Sequence, residues 1–146
     1  MKYPFIRILT LAFGLSLMTL TALDVAAQGS QVPRLKIIWD CGNCTQNPKV
    51  IPLIQQAYAE EARKHGQQIS KSEVAEVSIV DFRQRNPGTR VMLGFMAGKD
   101  RLGLMIDYKD QTFSASDTSA NAVQGMNHLC ASAASEAYRK LSAVVD

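Results

Sequence analysis

The chain has 146 residues, 47% of them hydrophobic, and its 16 Lys and Arg against 13 Asp and Glu give a formal net charge of +3. So small an excess drives no association with nucleic acid, and the length suits one domain with a modest core. Three cysteines permit one disulfide and leave one sulfur over.

Residues 1–27 read as a secretory signal. Lys2 and Arg7 precede an apolar run from Ile8 to Leu20, and the small-residue ending Val25-Ala26-Ala27 precedes Gln28. The run is shorter than the ~20 residues a spanning helix needs, and no later stretch is longer. The expected product is a soluble exported protein, periplasmic, cut near Ala27 and without a transmembrane segment. Residues 28–33 then form a flexible leader, and residues 34–146 a single α+β domain.

Leu35 to Trp39 is a short apolar strand, followed by loop chemistry from Cys41 to Asn47. Asn47 and Pro48 open a helix, because an Asn side chain accepts a free backbone N–H and a proline has none to satisfy. Ile51, Ile54, Tyr58 and Ala62 share one face of that helix, and Gly66 ends it. Val74 to Phe82 is a second strand, and residues 83–89, RQRNPGT, are a turn.

Reading Gly98-Lys99 as a two-residue turn makes a hairpin of residues 91–97 and 100–106. Its apolar face pairs Val91 with Ile106, Leu93 with Leu104 and Phe95 with Leu102. The other face pairs Arg90 with Asp107, Met92 with Met105, Gly94 with Gly103 and Met96 with Arg101. Asp110-Gln111 then turns the chain into a short edge strand, Thr112 to Ala115. Ser116 to Ser119 offer caps for a long helix with Ala122, Met126, Leu129, Cys130, Ala133, Ala137 and Leu141 on one stripe. The order strand, helix, three strands, short strand, helix predicts a two-layer α+β sandwich, a mostly antiparallel sheet with both helices on one face.

Cys41-Gly42-Asn43-Cys44, after a strand ending in tryptophan, resembles the redox site of thioredoxins. That resemblance implies Cys41 as attacking thiolate and Cys44 as resolving thiol, the alternative reading of this chain as a thiol-disulfide oxidoreductase. The local chemistry opposes it: the helix signals lie beyond Cys44, and Asp40 would raise the thiol pKa. The sequence between Phe82 and the expected hairpin also leaves no place for the family's further helix and cis-proline. The preferred expectation is a Cys41–Cys44 disulfide with Cys130 buried and reduced, the rival being a bridge from Cys130 to one of the pair, which would close a long loop. Zinc wants four ligands, and His128 and Cys130 point apart on a helix, so no metal or cofactor is expected.

Residues 75–106, AEVSIVDFRQRNPGTRVMLGFMAGKDRLGLMI, resemble a group of uncharacterised bacterial envelope proteins, many of them lipoproteins, through Asp81, Phe82, Arg83, Arg90, Gly94, Ala97 and Gly98. The resemblance implies an envelope accessory role with no catalytic residues. This chain lacks the lipid-attachment cysteine of that group. Arg83, Arg85, Arg90 and Arg101 form the densest basic cluster, able to meet an anionic envelope component or simply to be solvated at strand ends. Met92, Gly94, Gly103 and Met105 form a half-apolar patch on the expected open sheet face, suited to a second copy or another envelope protein. The reading is thus of an exported, non-enzymatic binding or assembly module.

Overall fold

The computed structural model describes residues 30–86, 88, 92, 93, 96, 98–119 and 125–145; the expected signal segment lies outside them. Four strands and two long helices make a two-layer α+β fold. Strands β1 (Gln31–Trp39), β2 (Gln68–Arg83), β3 (Asp100–Tyr108) and β4 (Gln111–Ser119) lie in the order β1-β2-β3-β4. The first pair is parallel and the other two are antiparallel. Helices α1 (Val50–Lys64) and α2 (Met126–Val145) pack on each other and on one face of the sheet. No helix among the described residues is long and apolar enough to cross a membrane.

Strict alternation places β3. Leu102, Leu104, Ile106 and Tyr108 are buried, while Arg101, Met105 and Asp107 are exposed on the opposite face. Alternation fixes the face of a strand but not its neighbour, and here the expected hairpin is corrected. The partner of β3 is β2, with Val77 opposite Ile106, Ile79 opposite Leu104 and Phe82 opposite Leu102. Met92 and Leu93 are helical and exposed; Val91, Gly94, Phe95 and Ala97 lie outside the described residues. The competition has a physical basis. Met and Leu favour helix, whereas β2 offers the β-branched Val77 and Ile79 at alternate positions.

Three further expectations shift. The leader does not end at Pro33, because β1 begins at Gln31 and Val32 is fully buried. The edge strand runs through to Ser119, so the serines read as helix caps belong to β4. The β3–β4 turn is Lys109-Asp110, both with positive φ, one residue earlier than expected. Lys109 is held there by its ammonium over the Tyr108 ring at 4.9 Å and by Glu73 at 3.5 Å.

A one-residue bulge at Val80 decides what the end of β2 presents. Ile79 pairs with Leu104 and Asp81 with Gly103, leaving Val80 unmatched. The extra residue returns Phe82 to the core although it lies three positions from Ile79, and there its ring meets Trp39 edge-on at 5.2 Å. In the helical layer, Val50, Ile54, Tyr58 and Ala62 form the buried stripe of α1, and Ala133, Ala134 and Ala137 let α2 approach closely. Gly66, at φ 71, closes α1 with Gln67 N–H bonding back to the Ala62 carbonyl at 2.9 Å.

Both edge strands are engaged by helix side chains. On β1, Tyr58 Oη donates to the Pro33 carbonyl at 2.9 Å and Gln55 Nε2 to the Leu35 carbonyl at 3.4 Å. On β4, Ser116 N–H donates to Glu136 Oε2 at 3.0 Å and Lys140 Nζ donates to the Ser114 carbonyl. Such contacts blunt an edge that would otherwise template another strand.

Leu104→Ala is expected to lower the unfolding free energy by about 2–5 kcal/mol, as removal of a buried leucine does, because Leu104 is enclosed on the core face between Ile79 and Ala115. Arg101→Ala removes only a half-exposed pair with Asp81 and should cost below about 1 kcal/mol. Urea unfolding of both variants checks the assignment of faces; equal, small losses would reverse it.

Candidate functional site

The chemistry gathers at one end of the sheet, where β1, β2 and β4 finish and β3 begins. The first element there is the loop after Trp39. A disulfide joins Cys41 and Cys44, whose Cα atoms are 5.6 Å apart, and Cys44 N–H bonds to the Cys41 carbonyl at 3.3 Å. Both cysteines pack against the core, while Cys130 is fully buried in α2 and unbridged. The pairing is therefore the local one and not the long-loop alternative. Helix α1 begins at Val50, so neither cysteine belongs to its first turn, the position at which a helix N-terminus stabilises a thiolate.

The second element is a buried ion pair. Arg85 is 5% exposed and Asp100 1%. Arg85 Nε and Nη2 meet Asp100 Oδ1 and Oδ2, each at 3.3 Å, and the Arg85 backbone N–H donates to Oδ1 at 2.7 Å. The same Nη2 reaches the Ser119 carbonyl at 3.2 Å, so one guanidinium ties together the ends of β2, β3 and β4. Arg85 is thus buried, not the solvated strand-end cation that the basic cluster had as its plainer reading. Asp100 carried the missed signal: it shares the parity of Leu102, Leu104 and Ile106, and an acid on a core face needs a buried cation.

Between the disulfide loop and the end of β2 lies a cleft of about 470 Å³. Its walls are Thr45, Gln46, Asn47 and Pro48 on one side and the segment from Phe82 to Asn86 on the other. Asn47 links the two by donating from Nδ2 to Gln84 Oε1 at 2.7 Å, while its Oδ1 accepts the Lys49 N–H at 3.0 Å. Arg83 rests against Gly98, where a Cβ would stand 3.3 Å from Nη2, and Gly98 has φ 84. The positive φ is what calls for glycine there, since the end of the Arg83 side chain can give way.

The residues expected to form a partner surface are only partly together. Gly103 and Met105 are on the open face of β3, flanked by Asp81 and Ser116 and by Ser78 and Ser114 respectively. Met92 belongs to the connection between β2 and β3, and Gly94 lies outside the described residues. The row through Met105 instead brings in Ile38, across Ser78. Of the basic cluster, Arg101 pairs with Asp81 at 3.4 Å, and Arg90 lies outside the described residues. His65 stacks on Tyr138 with ring centroids 5.1 Å apart. Among the described residues, no His, Cys, Asp and Glu cluster could hold a metal ion.

With this geometry in place, the chain is similar in fold to PelC. Two solved structures from Paraburkholderia phytofirmans, both PelC dodecamers and one of them a point variant, align with TM-scores of 0.54 and 0.51, each at 15% identity. The first alignment covers 78% of this chain and 87% of that one, the second 75% and 86%. At this identity the likeness speaks to architecture alone. No family model and no curated protein matches the chain.

Two outcomes are expected of these groups. Asp100→Ala leaves the Arg85 guanidinium buried without its counter-charge and should cost about 3–5 kcal/mol, read as a loss of melting temperature. Burial pushes the Cys130 thiol up to about 12, so in the native protein iodoacetamide should fail to label it at mildly alkaline pH. Labelling of one thiol per chain should follow only on denaturation, with Cys41 and Cys44 requiring a reductant as well. Rapid native labelling at Cys130 would contradict its burial.

Proposed function

We propose that this chain is an exported protein of the bacterial envelope, periplasmic and non-enzymatic, which works as an assembly module through the open face of its sheet. The observation that carries the reading is the apolar character of a face neither helix covers. Ile38 is 52% exposed, Val80 39% and Met105 36%, and Ile38 and Met105 stand in one row two strands apart. Half-exposed aliphatic side chains grouped on a sheet face suit burial against a partner.

Three other features support it. The N-terminal sequence has the pattern of an export signal, the segment from Ala75 to Ile106 resembles a group of uncharacterised bacterial envelope proteins, and the similar PelC folds are dodecamers. With both sheet edges engaged by helix side chains, the route left for association is face to face or through the helical layer. The occupant named by this reading is a second copy.

Sedimentation velocity over a range of concentrations tests it. The wild type should self-associate, and Met105→Asp should dissociate it while leaving the melting temperature of the monomer close to wild type, because a charge is costly in a contact and tolerated on a solvated face. Met92→Asp, on the β2–β3 connection, serves as the comparison. Dissociation by Met92→Asp alone would move the interface to that connection, and a wild type that stays monomeric when concentrated would sink self-assembly.

A further inference from the structure

We infer that the second copy packs face to face with its strands reversed, β3 lying across the partner's β3 about a two-fold axis that crosses the strands at the level of Leu104. The inference rests on the self-association proposed above and adds its orientation and the side chains that select it. On the open face β3 presents Arg101, Gly103, Met105 and Asp107 in turn: a cation, a position without a side chain, a long apolar side chain and an acid. Turning the strand end for end sets Arg101 against the partner's Asp107 and Gly103 against the partner's Met105, and the symmetry makes each contact twice. Strand β2 repeats the pattern. In the sheet register Glu76 stands beside Asp107 and Arg83 beside Arg101, so the two central strands carry an acidic pair at one end and a basic pair at the other.

Like charges directly opposite on neighbouring strands cost stability. Within the chain they are relieved only in part: Lys36 Nζ donates to Glu76 Oε1 at 2.7 Å, Thr112 Oγ1 donates to Asp107 Oδ1 at 2.6 Å, and Arg101 Nε lies 3.4 Å from Asp81 Oδ2, all in exposed positions. Each end keeps an excess of one sign. A copy reversed about the axis brings the acidic end over the basic one, whereas an axis parallel to the strands would stack like on like. The surface is also shaped for close approach. A Cβ at Gly103 would stand 3.2 Å from Asp81 Cβ and 3.7 Å from Val80 Cγ2, so the glycine leaves a gap in the side-chain layer that Val80 and Asp81 border. Methionine is long and flexible enough to fill such a gap, and the partner's Met105 would there cover Val80. Strand β4 adds Thr112, Ser114, Ser116 and Thr118 to this face, short side chains that do not hold two sheets apart. Stacked sheets lie about 10 Å apart with strands within about 30° of alignment, a separation that an Arg and an Asp side chain reaching from opposite sheets can span.

Sedimentation velocity on charge-swapped variants tests the orientation, with circular dichroism melts to confirm that each variant is folded. Arg101→Asp and Asp107→Arg should each weaken self-association about tenfold or more, because each puts like charges in contact twice per dimer. The double variant R101D/D107R keeps the wild-type net charge and should recover most of the lost affinity, and a mixture of the two single variants should form a mixed dimer. Arg139→Asp, on the exposed flank of α2, changes the net charge as Arg101→Asp does and should leave association as it was. If Met105→Asp dissociates the protein but neither single swap weakens it, or if the double variant associates no better than the single ones, the reversed arrangement is overturned while self-association stands. Equal weakening by Arg139→Asp would also overturn it, by making the effect one of net charge. A wild type that stays monomeric when concentrated overturns both.

Discussion

A single buried guanidinium sets the geometry of the end of the sheet that borders the cleft. Arg85 and Asp100 can be taken out of water only together, because either one alone would be an uncompensated charge in the core. Their pairing fixes where β2 ends and β3 begins, and through the Ser119 carbonyl it draws in the end of β4. What emerges at that end of the sheet follows from the clasp: Gln84 and Asn86 flank the fixed Arg85, and the connection from β2 to β3 leaves and returns at one point. Replacing such a pair with apolar side chains need not cost stability, so its physical role here is to specify one strand end out of several.

Much of the architecture was legible from the chain. The stripes of α1 and α2, the alternation of β3 and the layering of helices on one sheet face all follow from periodicity, which burial of a single face imposes. The partner of β3 was not legible, since Leu104 faces the core whether its neighbour is Leu93 or Ile79, and only competition between the segments decides. Likewise the Cys41–Cys44 pair announced itself by spacing, whereas Asn47, Gln84 and Asn86 had the composition of ordinary loops. That Asn47 and Gln84 meet across the cleft is a property of three dimensions. Asp100 is the instructive exception, a charge at a core-facing position whose parity could have flagged a hidden partner.

Small irregularities connect the regular parts of the fold to the cleft. The unmatched Val80 rotates the end of β2 so that Phe82 turns inward onto Trp39 while Arg83 is carried to the cleft wall. Trp39 is the last residue of β1 and leads directly to the disulfide loop, so one aromatic contact joins the two walls from beneath. A regular strand would have put Phe82 on the open face, and the core would have lost a large side chain at the place where the sheet meets solvent.

The helix side chains on the sheet edges give the helical layer a second duty. Strand β4 is a polar strand of nine residues, and Glu136 and Lys140 of α2 engage two of its backbone groups. Burial alone would raise the Glu136 carboxyl, but its bonds from Lys140 and the Ser116 N–H prevail and hold it below the usual carboxylate range, so the contact persists at neutral pH. Docking of α2 and protection of that edge are therefore one event. A chain shortened by proteolysis at its C-terminal helix, or caught before that helix has docked, would lose part of its core and at the same moment bare a template for strand addition. Damage in the helical layer would thus be read out as aggregation through the sheet.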